Sequence, residues 1–305
     1  MESTCDAASD EAVRRFAIAD VQNADSAAGE ELVDALRNHG FAILTLEHHD
    51  AEKVACTLST VGSLLTPLHR CEPRVRQSAR VSVSSQPRRV MMSLHSDADC
   101  ESSSSDDDDD DEALVCNCTT DGETTTQLAS VASAAAEAYP VLLSASRATT
   151  GALAAASPAA LEAALLNDGK FDGFWYPSDG GAHDGGSFED KACPCASHTD
   201  PGIVTVIAEA SGGLEVRDAS DGLWRRLTLQ PHELAVLTGQ QLAILTGGVL
   251  AACTHRVAPM ATPRTSFVLE VAQRRAHDMA HDRAPLDPRS RIAHQLWDPR
   301  GGFTR

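Results

Sequence analysis

Pro201-Gly202-Ile203-Val204-Thr205-Val206-Ile207-Ala208 reads as two breakers followed by a strand, because every residue from Ile203 to Ile207 is β-branched. The same texture recurs downstream in Leu214 to Arg217, Trp224 to Leu229, Leu234 to Leu237, Leu242 to Leu245 and Ser266 to Val271. Glycine, proline and aspartate separate these runs. Short strands at this spacing indicate a sandwich or a jelly roll. The expected fold class is therefore mainly β with flanking helices.

The segments outward of this block differ in composition. Residues 12–95 read as an N-terminal α/β region: Phe16-Ala-Ile-Ala resembles a short strand, Gly29 to Asn38 an amphipathic helix, and Gly40-Phe-Ala-Ile-Leu-Thr-Leu a strand after a helix-stopping glycine. A second helix is predicted from about Asp50 to Leu65, before Pro67. Residues 96–112, with four consecutive serines and six consecutive aspartates, lack the apolar surface to fold and are expected to be a disordered acidic insertion. Residues 127–166 are rich in alanine and leucine, with a break at Pro140 and a helix start at Ser157-Pro158, which predicts a scaffold of two or three helices. The β-rich core spans 170–275, and 276–305 is expected to be a tail over it. The Gly180 to Gly186 loop reads as either a lid or a linker.

Charge and cysteine usage exclude several function classes. The net charge is −19, but ten of the acidic residues lie in the insertion, so the remaining body is only moderately acidic. A basic patch is the usual requirement for nucleic acid or anionic lipid, and neither partner is expected. A protein partner drawn by the acidic insertion has no further support. No stretch approaches the roughly 20 apolar residues of a membrane helix, and Met1 to Asp10 lacks the pattern of an export signal. Nine cysteines, an odd number, spread from Cys5 to Cys253 do not form a disulfide framework, so a cytoplasmic protein with reduced thiols is expected. Cys116 with Cys118 and Cys193 with Cys195 are C-x-C pairs without common zinc-site spacing. There is no phosphate-cradling glycine loop and no Gly-x-Ser-x-Gly elbow.

The residues that carry chemistry flank the strands. In Ser197-His198-Thr199-Asp200-Pro201, residues two apart on extended chain face the same side, so His198 and Asp200 can offer a nitrogen and an oxygen to one point. His255 opens a further strand, Thr254-His255-Arg256-Val257, which a rolled sheet can place alongside. Two imidazoles and a carboxylate on one face of a metal leave three positions open, the arrangement of non-haem Fe(II) oxygenases. Arg264 and Ser266 again alternate onto one face, and a guanidinium with a hydroxyl can hold a carboxylate. A zinc site from Cys193, Cys195 and His198 is the competing metal reading.

His198-Thr-Asp-Pro-Gly-Ile-Val-Thr-Val-Ile, Gly212-Gly-Leu-Glu-Val, Gly239-Gln-Gln-Leu, Thr254-His-Arg-Val and Arg264-Thr-Ser, in this order, resemble the 2-oxoglutarate/Fe(II) dioxygenase family related to isopenicillin N synthase. The resemblance runs from about Phe174 to Val271 and extends to Leu32 to Leu46 in the N-terminal region. It implies a double-stranded β-helix (jelly roll) core. It also implies His198, Asp200 and His255 as iron ligands, and Arg264 with Ser266 as the clamp for the distal carboxylate of 2-oxoglutarate. Tyr176 stands where the family carries the tyrosine of an Asn-x-Tyr pair that helps bind the cosubstrate, although Phe174 replaces the asparagine. The implied activity is oxidation, by default hydroxylation, of a small organic molecule by dioxygen, with release of succinate and carbon dioxide and with ascorbate as an auxiliary reductant. Two alternatives stay open: an oxidase of the isopenicillin N synthase type that consumes no 2-oxoglutarate, and a catalytically silent barrel serving as a binding scaffold.

Overall fold

A computed structural model describes residues 13–23, 26–67, 75–77, 81–86, 89–94, 122–156, 161, 166, 169–178, 193–273, 297–298 and 302–303. The acidic insertion, Cys5, Cys116, Cys118, Ser157-Pro158, the 180–186 loop and most of the C-terminal tail lie outside these residues.

The N-terminal region alternates strands and helices: β1 (Arg15–Ala17), α1 (Ile18–Gln22), α2 (Ala28–His39), β2 (Phe41–Thr45) and α3 (His48–Leu65). Helix α2 buries Leu32, Val33, Ala35 and Leu36 on one stripe and stops at Gly40, whose φ of 82° places it in the left-handed region while its N–H bonds back to the Leu36 carbonyl at 2.9 Å. Three strands follow, β3 (Val75–Gln77), β4 (Val81–Gln86) and β5 (Arg89–Leu94), and then α4 (Gly122–Ala156).

The core begins with β6 (Lys170–Tyr176) and β7 (Cys195–His198) and continues with β8 (Val204–Ala210), β9 (Leu214–Arg217) and β10 (Trp224–Arg226). It closes with β11 (Glu233–Thr238), α5 (Gln240–Leu245), β12 (His255–Val257) and β13 (Arg264–Val271). One sheet has the order β1-β2-β11-β8-β13-β6-β5-β4-β3 and the other β10-β9-β12-β7. From β6 onward the chain alternates between them: β6, β8, β11 and β13 lie in the large sheet, and β7, β9, β10 and β12 in the small one. That alternation is a jelly roll, the double-stranded β-helix. A short hairpin of β14 (Trp297–Asp298) and β15 (Gly302–Phe303) stands apart from both sheets.

Strand alternation sorts the core into two layers. Val204, Val206 and Ala208 of β8 and Phe267, Leu269 and Val271 of β13 pack with α2, α3 and α4 on the outer face of the large sheet. Ile207, Ala235 and Leu237 point the other way and pack with Leu214 and Val216 of the small sheet. Each such side chain contributes roughly 1.5–3 kcal/mol on burial. Polar side chains within the second layer are therefore conspicuous.

Three expectations differ from the structure. The break expected at Pro140 is absent: Gly122–Ala156 is one helix of 35 residues that runs through it. Pro140 and Ala136, whose carbonyl loses its helical donor, are both exposed, so water satisfies that carbonyl and the helix continues. Leu242 to Leu245 is helical: the N–H groups of Gln240 and Gln241 bond the Asp200, Pro201 and Gly202 carbonyls and start a helical turn, and a four-residue apolar run carries no period of its own. The strand at Trp224 ends at Arg226, because its partner β9 is only four residues long.

Candidate metal centre

His198 ends β7 and His255 begins β12, and the two residues are direct partners in the antiparallel register of these strands. Their rings lie 4.3 Å apart between centroids. Asp200 follows in the turn leaving β7, and α5 holds that turn. The Gln240 N–H donates to the Asp200 carbonyl at 2.8 Å, and the Gln240 side-chain amide to the Thr199 hydroxyl at 2.6 Å. A Cβ added at Gly239 would collide with the Gly202 carbonyl, and one at Gly202 would meet the Val271 carbonyl and Glu270, so the two glycines let three backbone segments touch behind Asp200.

Hydrogen bonds orient the donors. Nδ1 of His198 lies 2.9 Å from the Ala196 carbonyl and Nδ1 of His255 lies 3.3 Å from the Cys253 carbonyl, contacts that require N–H on Nδ1 and turn Nε2 toward Asp200. The Nε2 atoms lie 3.6 Å (His198) and 3.7 Å (His255) from the Asp200 carboxylate. The three ligand atoms all fall within 4.8 Å of one another. Thr205, one pleat along β8, donates its hydroxyl to Asp200 Oδ2 at 2.5 Å. Burial keeps His255 below its ordinary pKa, and the charge of Arg264 adds to that, so this imidazole is neutral. His198 is pushed up to about 9, first by the Cys195 thiol 3.9 Å from Nδ1, with Ala196 and Asp200 adding to it. The zinc reading is not assembled: Cys195 approaches His198 on the ring edge away from Asp200, and among the described residues the set spaced for a metal is His198, Asp200 and His255.

The second cluster lies on the same inner face. Arg264, 2% exposed at its side chain, donates through Nη1 to Ser266 Oγ at 2.8 Å. Tyr176 is its cross-strand partner, and the guanidinium sits 5.4 Å over that ring. Burial is the main reason the Tyr176 hydroxyl is pushed up to about 12, so it acts as a neutral hydrogen-bonding group, with Arg89 as a partner. The other side of Arg264 is held by Glu209, whose Oε2 receives Nε at 2.8 Å and Nη2 at 2.7 Å.

A neutral nitrogen, a carboxylate and a second imidazole converge beside a buried guanidinium, and residues 182–272 match the family model described as the 2OG-Fe(II) oxygenase superfamily. Those residues are a 2OG-Fe(II) oxygenase domain. The resemblance to the isopenicillin N synthase relatives lies within this superfamily. No curated protein matches the chain. Solved structures do. The dioxygenase for auxin oxidation from rice is 16% identical, with a TM-score of 0.57 over 85% of this chain and 82% of that one. A full-length Neurospora crassa protein in complex with alpha-KG and 5-formyluracil is 14% identical, with a TM-score of 0.56 over 86% and 84%. The Arabidopsis thaliana dioxygenase for auxin oxidation 1, in its 2-oxoglutarate complex, is 15% identical, with a TM-score of 0.52 over 95% and 99%. At these identities the likeness is one of fold.

The structure brings together the residues singled out for iron and 2-oxoglutarate: His198, Asp200 and His255 in one group, and Arg264, Ser266 and, just before the matched segment, Tyr176 in the other. Sequence reasoning missed Thr205, Arg89 and Glu209. Thr205 shares the pleat of Ile207, so its hydroxyl was bound to meet a polar group inside the barrel. Glu209 carried the plainest signal, a carboxylate in the strand Val-Thr-Val-Ile-Ala-Glu-Ala on the same inward face, which demands a buried cation.

Proposed function

We propose that the chain is an Fe(II)- and 2-oxoglutarate-dependent enzyme that hydroxylates a small organic substrate with release of succinate and carbon dioxide. In this reading His198, Asp200 and His255 ligate the iron, Arg264 and Ser266 bind the distal carboxylate of 2-oxoglutarate, and residues 170–275 are the catalytic core. The observation that carries it is the cross-strand pair His198 and His255, closed by Asp200, on the same barrel interior as a buried Arg264 and Ser266.

The donor set fits Fe(II): two imidazole nitrogens and one carboxylate oxygen are borderline-to-hard ligands that occupy one face and leave the rest of the coordination sphere to other groups. Iron, when bound there, supplies the activation of dioxygen that couples decarboxylation of the 2-oxo acid to oxidation of the substrate. The protein's own contribution is orientation. Backbone carbonyls fix both imidazole tautomers, Thr205 fixes the carboxylate, and Arg264 presents a charge-assisted fork that sets the cosubstrate's distance from the metal. The contact of Tyr176 with the guanidinium supports a role for its hydroxyl beside the cosubstrate. A small-molecule substrate is supported by the similar structures, one named for auxin oxidation and another complexed with thymine.

Purified protein loaded anaerobically with Fe(II) should bind 2-oxoglutarate and, on admission of oxygen with a substrate library, form succinate. An enzyme that binds no 2-oxoglutarate and forms no succinate with any substrate would end this reading.

A further inference from the structure

We propose that Arg89 is a specificity-determining residue for the cosubstrate. Arg264 gives a bound carboxylate its hydrogen-bond geometry, and Arg89, on the far flank of Tyr176, gives the distal carboxylate of 2-oxoglutarate its counter-charge. The inference rests on the reading of Arg264 and Ser266 as the 2-oxoglutarate clamp.

Three observations lead to it. The first is that the charge of Arg264 is already matched. Its side chain and that of Glu209 are 2% and 0% exposed, and Glu209 Oε2 receives Nε at 2.8 Å and Nη2 at 2.7 Å. A carboxylate arriving at the remaining N–H groups of the guanidinium finds donors, but on a pair without net charge. The second is a row in the sheet. Arg264 pairs with Tyr176 across β13 and β6, and Val90 of β5 pairs with Trp175, so Arg89 falls beside Tyr176 on its other flank. Side chains abreast on neighbouring strands share a face, so Arg264, Tyr176 and Arg89 line up along the inner wall. The third is the direction of Arg89. Its guanidinium stands 5.6 Å over the Phe174 ring, bonds the Tyr176 hydroxyl and lies 4.0 Å from Cys195 Sγ on β7, so its head reaches into the barrel between the two sheets.

The charges on this face then balance. Arg264 and Glu209 cancel, and Arg89 and the incoming carboxylate cancel. The other acids facing inward have their own positions: Glu233 is engaged by Arg15, Asp172 by Lys170 and Ser93, and Glu270 lies across from Lys170 toward the far end of β13. Of the imidazoles, His255 is neutral and His198 gives up its proton to hold a metal. Among the described residues, the cation adjoining the clamp is Arg89. Tyr176 couples the two guanidiniums: its oxygen accepts from Arg89, which leaves its own hydrogen to donate toward a carboxylate at Arg264. At the spacing of neighbouring side chains, out of water, one unit charge weighs heavily. Arg89 thereby makes the site prefer a 2-oxo acid with a second carboxylate over one without it.

The test compares 2-oxoglutarate with 2-oxopentanoate, which has the same carbon chain but ends in a methyl group. Both are titrated calorimetrically, directly or in competition, into anaerobic Fe(II)-loaded protein. Arg89→Gln, which keeps a donor for Tyr176 but no charge, should weaken 2-oxoglutarate about 10- to 100-fold and leave 2-oxopentanoate within about twofold of the parent. Arg89→Lys, which keeps the charge, should retain most of the preference for the dicarboxylate. An equal loss for both acids would mark a purely structural role and overturn the inference. An unchanged affinity for 2-oxoglutarate, even with a raised KM for the oxidised substrate, overturns it too, and both outcomes leave the clamp standing. A parent protein that binds no 2-oxoglutarate overturns the clamp itself. Should Arg89→Gln fail to fold, Arg89→Lys decides: preference kept supports the role of charge, and preference lost ends it.

Discussion

His198 and His255 face the same carboxylate but carry different charge in the metal-free protein. His255 is buried and neutral, whereas His198 keeps a proton to about pH 9. A metal must displace that proton, so Fe(II) affinity should climb as pH rises toward about 9, by up to about tenfold per unit, and level off above it. Anaerobic titrations from pH 6 to 8 would read the slope. Replacing Cys195 by Ser, which removes the largest cause of the raised pKa, should tighten Fe(II) binding at pH 7 and flatten that slope. A metal site built on the cysteine would instead lose its ion. At Arg264 the informative substitution is Arg264→Lys. It keeps a cation for Glu209 but loses the fork, so KM for 2-oxoglutarate should rise about 10- to 100-fold with little change in fold. Arg264→Ala is a poor probe, since it would strand Glu209 as a buried charge at a cost of about 3–5 kcal/mol.

The turn between β7 and β8 and the first turn of α5 work as one element, because Gly202 and Gly239 meet backbone to backbone. Gly239→Ala should destabilise the protein by about 1–3 kcal/mol and, by displacing Asp200, weaken Fe(II) binding as well; denaturant unfolding and metal titration of one sample check both. Pro140→Ala in α4 should do the opposite, raising stability by about 1–2 kcal/mol without touching the site, since it restores a backbone donor on an exposed face. These elements also show how far sequence reading reaches. Strands such as Val204–Ala210 and helices such as α2 carry their period in their own residues, and the six site residues lie in three short segments and one aromatic cluster. What stayed hidden depends on partners remote in sequence. Only tertiary context decides that Pro140 faces water, that Leu242 sits in a helix started by Asp200's turn, or that Glu209 meets a guanidinium 55 residues away.

At the scale of the whole molecule, the helices α2, α3 and α4 back the large sheet, and the candidate centre lies on its other face, toward the small sheet. No helix among the described residues is long and apolar enough to cross a membrane. Ligands that bind only the folded barrel stabilise it by mass action, about 2.7 kcal/mol at a hundredfold excess over Kd. Fe(II) with 2-oxoglutarate should therefore raise Tm by several degrees, and Asp200→Ala should erase the gain in differential scanning. The cross-strand pairing of His198 and His255 adds something beyond the ion's chemistry. An ion gripped by both rings rivets β7 to β12, strands of only four and three residues, as a disulfide would, but reversibly. Iron supply would then govern how tightly the smaller wall of the barrel is stitched shut, and a chain starved of metal would open first along that seam.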